Sequence, residues 1–155
     1  VTIKVVLRAL AGSDLRKVMA LEKAIFSDPW PEAAMREHLH YPETGGVVAE
    51  LDGQLIGYGC YRFEYGDVHL TNLAVKPSYR RKSVAKQLLA YILRLAGERY
   101  CESIFLEVRA SNRAARAFYE KAGFGVIDRS PGYYNKPVED AYIMARRLAY
   151  NPDDR

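Results

Sequence analysis

The sequence is poor in the residues that staple or span. It has two cysteines and one tryptophan, and no run approaches the roughly 18 consecutive apolar residues of a membrane-spanning helix. Cys60 and Cys101 stand far apart inside apolar stretches, with no Cys-x-x-Cys and no histidine at ligand spacing. Neither a disulfide framework nor a zinc site is indicated, and both read as reduced core thiols. The N-terminal VTIKVVLRAL lacks the long apolar core of a secretory signal, so the expected compartment is the cytoplasm. Gly (11) and Pro (7) are scattered without period, which excludes a fibrous repeat, and 49% apolar residues exclude disorder. Two phosphate fingerprints are also missing: there is no Gly-x-x-x-x-Gly-Lys-Ser/Thr and no Gly-x-Gly-x-x-Gly.

What is present is a chain of 155 residues, enough to bury about 70% of its unfolded surface without a metal. One domain is expected over residues 1–148, followed by a polar tail over 149–155. Lys and Arg (23) exceed Asp and Glu (19), for a net charge of +4. The excess is local: Lys76, Arg80, Arg81, Lys82 and Lys86 crowd a segment with no acidic residue, either a solvated basic turn or an anion dock.

Apolar periodicity predicts strands at 2–9, 47–51, 54–65, 68–75, 103–108, 124–130 and 140–148, and helices at about 12–26, 31–39, 83–99 and 112–122. Gly45-Gly46 precede the second strand, Asp52-Gly53 reads as a hairpin turn, and PGYYNKPVE reads as a turn-rich connection. The early strands form an antiparallel meander, whereas the helix from Ser83 links two strands as a crossover between parallel neighbours. The fold class is α/β (α+β), with a mixed, mostly antiparallel seven-stranded sheet and helices on both faces.

Two segments carry chemistry. In NLAVKPSYRRKSVAKQLL a strand runs through a basic loop into a helix, so first-turn amides, helix dipole and cations converge on one spot. The order Arg80-Arg81-Lys82-Ser83-Val84-Ala85 resembles the Arg/Gln-x-x-Gly-x-Gly/Ala pyrophosphate loop of the GCN5-related N-acetyltransferases. Ser83 departs from that pattern. If its dihedrals are helical the departure costs little; if the position needs positive φ, cofactor affinity should suffer.

The second segment, LEVRASNRAARAFYEKAGF at 106–124, places Asn112, Arg116 and Tyr119 on one helix face, with Ala114, Ala115, Phe118 and Ala122 as the core stripe. Asn112 also suits a helix N-cap and Tyr119 an ordinary packing position. Its pattern Glu-Val-Arg-x-x-Asn-x-x-Ala-x-x-Phe-Tyr-x-x-x-Gly-Phe is similar to the second half of the acetyltransferase signature. With Phe26, Pro29-Trp30 and Glu139 to Ala145, the chain resembles the bacterial ribosomal-protein alanine N-acetyltransferases over residues 3–148.

That resemblance implies acetyl-coenzyme A as cofactor, coenzyme A as product and no metal. Leu73, Ala74 and Val75 would hold the pantetheine arm edge-on with Asn112, while Arg80, Arg81, Lys82, Ser83, Val84, Ala85 and Lys86 would hold the pyrophosphate. Glu107 would be the general base, directly or through a water, and Tyr119 the general acid. Glu107 sits in an apolar strand, where desolvation favours a base; the alternative is a carboxylate paired with Arg109 or another cation. Phe26, Trp30, Tyr133 and Tyr134 would flank the acceptor, a protein N-terminus such as that of a ribosomal protein, without a membrane or direct nucleic-acid contact. His69 either positions a water or is a hydrogen-bonded sheet residue; His38 and His40 point to different faces and make no metal site. Two other functions stay open: acetylation of a lysine or small amine with the same cofactor half, and a non-catalytic basic module that docks on RNA or a ribosome.

Overall fold

The computed structural model describes residues 1–148; the tail expected over 149–155 lies outside the described residues. Among them, seven strands form one sheet: β1 (Val6–Ala9), β2 (Thr44–Leu51), β3 (Gln54–Glu64), β4 (Asp67–Val75), β5 (Ser103–Arg109), β6 (Gly125–Tyr134) and β7 (Glu139–Arg147). Their order is β1-β2-β3-β4-β5-β7-β6. The α-helices are α1 (Leu15–Ile25), α2 (Glu32–His38), α3 (Val84–Glu98) and α4 (Arg113–Lys121). Only β4 and β5 pair in parallel, and α3 is the crossover between them, as the change of apolar period after Pro77 predicts. No helix among the described residues is long and apolar enough to cross a membrane.

Each face of the sheet has its own core. On one, Leu15, Val18 and Met19 of α1 and Met35 of α2 pack against Val48, Tyr58 and Cys60. On the other, Leu88, Leu89, Ile92 and Ala96 of α3 meet Ile56, Val68, Leu70, Ile104, Leu106 and Met144, with Tyr119 of α4 in the same cluster. Burying such side chains is worth about 1.5–3 kcal/mol each, which ties both helical layers to the strands. Cys60 and Cys101 are buried free thiols, as expected. Burial and the nearby Glu22 charge push the Cys60 thiol well above its ordinary range, so it stays protonated.

Four expectations are corrected. The first strand starts at Val6, because residues before it attach to the start of α3: the Ile3 N–H donates to the Lys82 carbonyl, and Gln87 donates to the Ile3 carbonyl. β6 runs through Pro131 to Tyr134 and leaves only 135–138 as a turn, so the turn residues in PGYY sit on an edge strand that tolerates them. Ala114 is exposed, and α4 instead inserts Tyr119 between Phe118 and Phe124. Gly45 and Gly46 lie inside β2 because the neighbours leave no room: a Cβ on Gly46 would stand 2.8 Å from the Gly59 carbonyl and 2.9 Å from Leu10 Cδ1.

That crowding generates a prediction. Gly46→Ala should destabilise the fold by about 1–3 kcal/mol, because a backbone carbonyl cannot swing aside as a side chain can. Urea unfolding measures it, and an unchanged midpoint would show that β2 and β3 part more easily than their pairing implies.

Candidate active site

β4 and β5 pair at Val68↔Ile104 and His69↔Phe105 and then part. The cause is a bulge. Across β3, Tyr61 faces Leu70 and Cys60 faces Asn72, leaving Thr71 as an extra residue in β4. A bulge bends its strand and adds local twist, so β4 swings away while β5 stays paired with β7 from Ser103 to Arg109. The result is a wedge between Asn72–Val75 and Leu106–Arg109. Strand backbone facing the wedge from Leu73 to Val75 has β3 on its other side only, through Gly59, Tyr58 and Gly57.

Glu107 and His69 meet in this wedge. Ile104, Leu106 and Val108 point into the α3-side core, which turns Glu107 to the other face. There His69 Nε2 lies 2.6 Å from Glu107 Oε2, and the imidazole stacks on Phe105 at 4.5 Å. Both side chains are mostly shielded, at 15% and 18% exposure. Of the alternative partners, His69 is the one Glu107 meets and Arg109 is not: Arg109 donates to the Asn135 and Pro137 carbonyls and to Glu139, and its guanidinium lies 4.4 Å from the Tyr134 ring.

The tyrosines converge on the same place. Burial raises the Tyr133 and Tyr134 phenols, and the Glu107 charge adds to both. Burial also raises Tyr119, with Tyr134 contributing. The Tyr119 phenol is thus held protonated well beyond neutral pH, and among the described residues its hydroxyl has no hydrogen-bond partner. Asn112 is used locally: its Oδ1 accepts the Ala115 N–H at 3.1 Å and caps α4. Phe26 is exposed at the end of α1, whereas Trp30 packs edge-on against His38 at 5.5 Å. Burial lowers the His38 pKa, so that ring is neutral; its Nε2 is 3.0 Å from the Gly45 carbonyl.

A cleft of about 480 Å³ opens at the start of α3. Arg80, Arg81, Lys86 and Lys121 bring positive charge to it; Leu89, Phe118 and Ala122 form an apolar wall. Val75, Ser83, Val84 and Ala85 also line it, while Leu73 and Ala74 stay on the strand and Lys82 lies over the Tyr79 ring at 5.6 Å. No side chain among the described residues caps α3, whose first-turn amides are therefore available to an anion. Uncapped amides, four cations and an apolar wall fit a pyrophosphate joined to a less polar arm. Lys121, Phe118, Leu89 and Tyr79 were not among the expected cofactor residues; only the return of α4 beside α3 brings the first two there. No group of three or more metal-ligating side chains occurs among the described residues.

Ser83 resolves the question posed by its sequence. Its φ is 63° and its ψ 20°, left-handed and not helical, so it stands where glycine belongs. Arg81 is also left-handed, at φ 61°. The Ser83 hydroxyl lies 3.2 Å from that of Thr2 and makes no cap.

The chain belongs to the acetyltransferase (GNAT) family, whose sequence model matches residues 15–124, and is an acetyl-coenzyme A-dependent N-acetyltransferase. It is 35% identical over 151 residues to the N-alpha-acetyltransferase RimI of Mycobacterium tuberculosis, covering 92% of each chain. It is 33% identical over 155 residues to an N-alpha-acetyltransferase of Saccharolobus solfataricus, again with 92% of each covered. Among solved structures, the ribosomal-protein-S18-alanine N-acetyltransferase of Escherichia coli superposes with a TM-score of 0.89 at 26% identity, over 98% of this chain and 99% of that one.

The left-handed serine is directly testable. Ser83→Gly should leave stability unchanged or raise it by up to about 1 kcal/mol, while Ser83→Val, branched at Cβ, should lower it by about 1–2 kcal/mol. A loss with glycine, measured in urea, would mean that the Thr2 contact outweighs the backbone strain.

Proposed function

We propose that this chain acetylates the free α-amine of a protein N-terminus, with a ribosomal protein beginning in alanine as the leading acceptor. The observation that carries the reading is the Glu107–His69 pair at the base of the wedge, with Tyr133 and Tyr134 within its electrostatic reach. The names of the similar Mycobacterium, Saccharolobus and Escherichia proteins support the acceptor class. Two buried unpaired thiols accord with a reducing, cytoplasmic setting.

Acetyl-coenzyme A, when bound, supplies an acetyl thioester. The α3 amides with Arg80, Arg81, Lys86 and Lys121 would hold its pyrophosphate, and the open edge of Leu73–Val75 would take its pantetheine amides as a neighbouring strand does. Phe26 and Trp30 on one side and Tyr133 and Tyr134 on the other would flank the acceptor peptide. An α-amine with pKa about 7.7–8.0 is roughly one-tenth neutral at pH 7, whereas a lysine near 10.4 is neutral only about once in several thousand molecules. A modest base therefore suffices. Glu107 takes the amine proton on its carboxylate, and His69 Nε2, 2.6 Å from Oε2, fixes the direction of that carboxylate. Tyr119, its Oη kept protonated by burial, would be the residue that donates a proton to the coenzyme A sulfur as the carbon–sulfur bond breaks.

Two substitutions test these roles. Tyr119→Phe should lower turnover by about 10² to 10⁴ and leave acetyl-coenzyme A affinity nearly intact, as calorimetry beside steady-state kinetics would register. Unchanged turnover would return Tyr119 to core packing. Glu107→Gln should cost most near pH 7, with the deficit shrinking toward about pH 9, where most of the amine has already lost its proton. A folded variant whose deficit is flat across that range would assign Glu107 to positioning and make His69 the base. Acceptor identity is read with peptides carrying free or blocked N-termini: acetylation of the blocked peptides at lysine would overturn the α-amine reading.

A further inference from the structure

Glu22 is the most deeply buried carboxylate among the described residues, at 2% exposure, and neither Lys nor Arg pairs with it. It continues the buried stripe of α1: Leu15, Val18, Met19 and Glu22 fall at i, i+3, i+4 and i+7, where a leucine would pack better. A carboxylate there is costly unless its lone pairs are used. They are used by three separate segments. Its Oε2 accepts the Trp30 backbone N–H at 2.9 Å; its Oε1 accepts the Tyr58 hydroxyl of β3 and the Asn72 amide of β4, the latter at 3.3 Å. The Glu22 backbone carbonyl also accepts the Phe26 N–H at 2.9 Å. One residue thus grips both ends of the loop from Phe26 to Trp30.

The position of these donors gives the grip a consequence. Asn72 directly follows the Thr71 bulge and directly precedes the open strand edge at Leu73–Val75. Trp30, anchored through its backbone by Glu22, is also fixed through its ring by His38. We infer that Glu22 is a positioning residue for acceptor binding: it fastens the Phe26–Trp30 wall to β3 and β4 at a set distance from the cofactor strand. The inference rests on the reading of Phe26 and Trp30 as acceptor-flanking residues. An aliphatic side chain would fill the same core site and release the wall.

The test uses the full chain, acetyl-coenzyme A and an N-terminal peptide. Glu22→Leu should raise the peptide KM by about tenfold or more, the size expected for losing a hydrogen bond to a charged group, with kcat and acetyl-coenzyme A affinity within about threefold of the parent. Glu22→Gln, whose amide oxygen still accepts the Trp30 N–H, should restore most of the peptide KM. Hydrogen exchange gives a readout independent of activity: the Trp30 amide should be protected in the parent and in Glu22→Gln and should exchange faster in Glu22→Leu. A folded Glu22→Leu with unchanged peptide KM overturns the inference, and so does parallel weakening of peptide and cofactor, which would mark general damage. Should Glu22→Leu not fold, Tyr58→Phe removes one donor and keeps the ring; an unchanged peptide KM there overturns it equally. Failure of the parent to acetylate any free N-terminus would sink the acceptor reading instead, and Trp30 exchange would still decide whether Glu22 holds the loop.

Discussion

The parting of β4 from β5 is the constraint on which the rest of the molecule depends. A parallel pair that stayed in register would satisfy its own backbone groups and close the sheet. The extra residue at Thr71 prevents this, and the strands hold each other only at Val68–His69 and Ile104–Phe105. Beyond that point β4 presents backbone that no second strand pairs, with the Val75 carbonyl accepting Arg80 Nε at 3.3 Å, and β5 presents side chains, two surfaces with different chemistry facing one gap. The stability of the arrangement comes from outside the gap: β3 supports β4, β7 supports β5, and α3 packs across the back of β2, β3 and β4.

The two helical layers then divide the work. The α3 side supplies positive charge and uncapped amides near Val75, where the open strand edge ends, so an anion and an extended polar arm are recognised in one continuous track. The α1–α2 side supplies aromatic and titratable groups, with Glu107 and His69 on that face and the loop through Trp30 beside it. The opening in the sheet joins the layers. Tyr119 reaches toward the junction from α4, buried among Phe118 and Phe124 and within influence of Tyr134.

Much of this was legible because periodicity reports which face a residue takes. The apolar strand around Glu107 is in the sequence, and the structure adds that Ile104, Leu106 and Val108 take the core face and leave Glu107 the other. What could not be read depended on partners distant in sequence. Nothing local says that Arg109 turns to the β6–β7 connection, or that Lys121 joins a cleft built mainly from residues near Ser83. The left-handed backbone at Ser83 was hidden for a related reason: serine accepts either conformation in principle, and only the tight entry into α3 decides between them. Glu22 did leave a trace, since a carboxylate in an apolar stripe asks for buried donors; but the donors come from residues 30, 58 and 72.

The partner chosen by Glu107 bears on its proposed role. Glu107 and Arg109 are two apart on one strand and so share a face, the arrangement in which a guanidinium would ordinarily be available to the carboxylate. A carboxylate fixed to a guanidinium holds its charge strongly and is a poor proton acceptor near neutrality. Here the guanidinium is occupied: two backbone carbonyls, Glu139 and the face of Tyr134 take it up, and Glu139 in turn accepts the Ser111 N–H at the approach to α4. Arg109 therefore does two things at once. It braces the turn that leads from Tyr134 at the end of β6 into β7, and by being committed there it leaves the Glu107 carboxylate to the His69 imidazole, whose Nε2 lies 2.6 Å from Oε2.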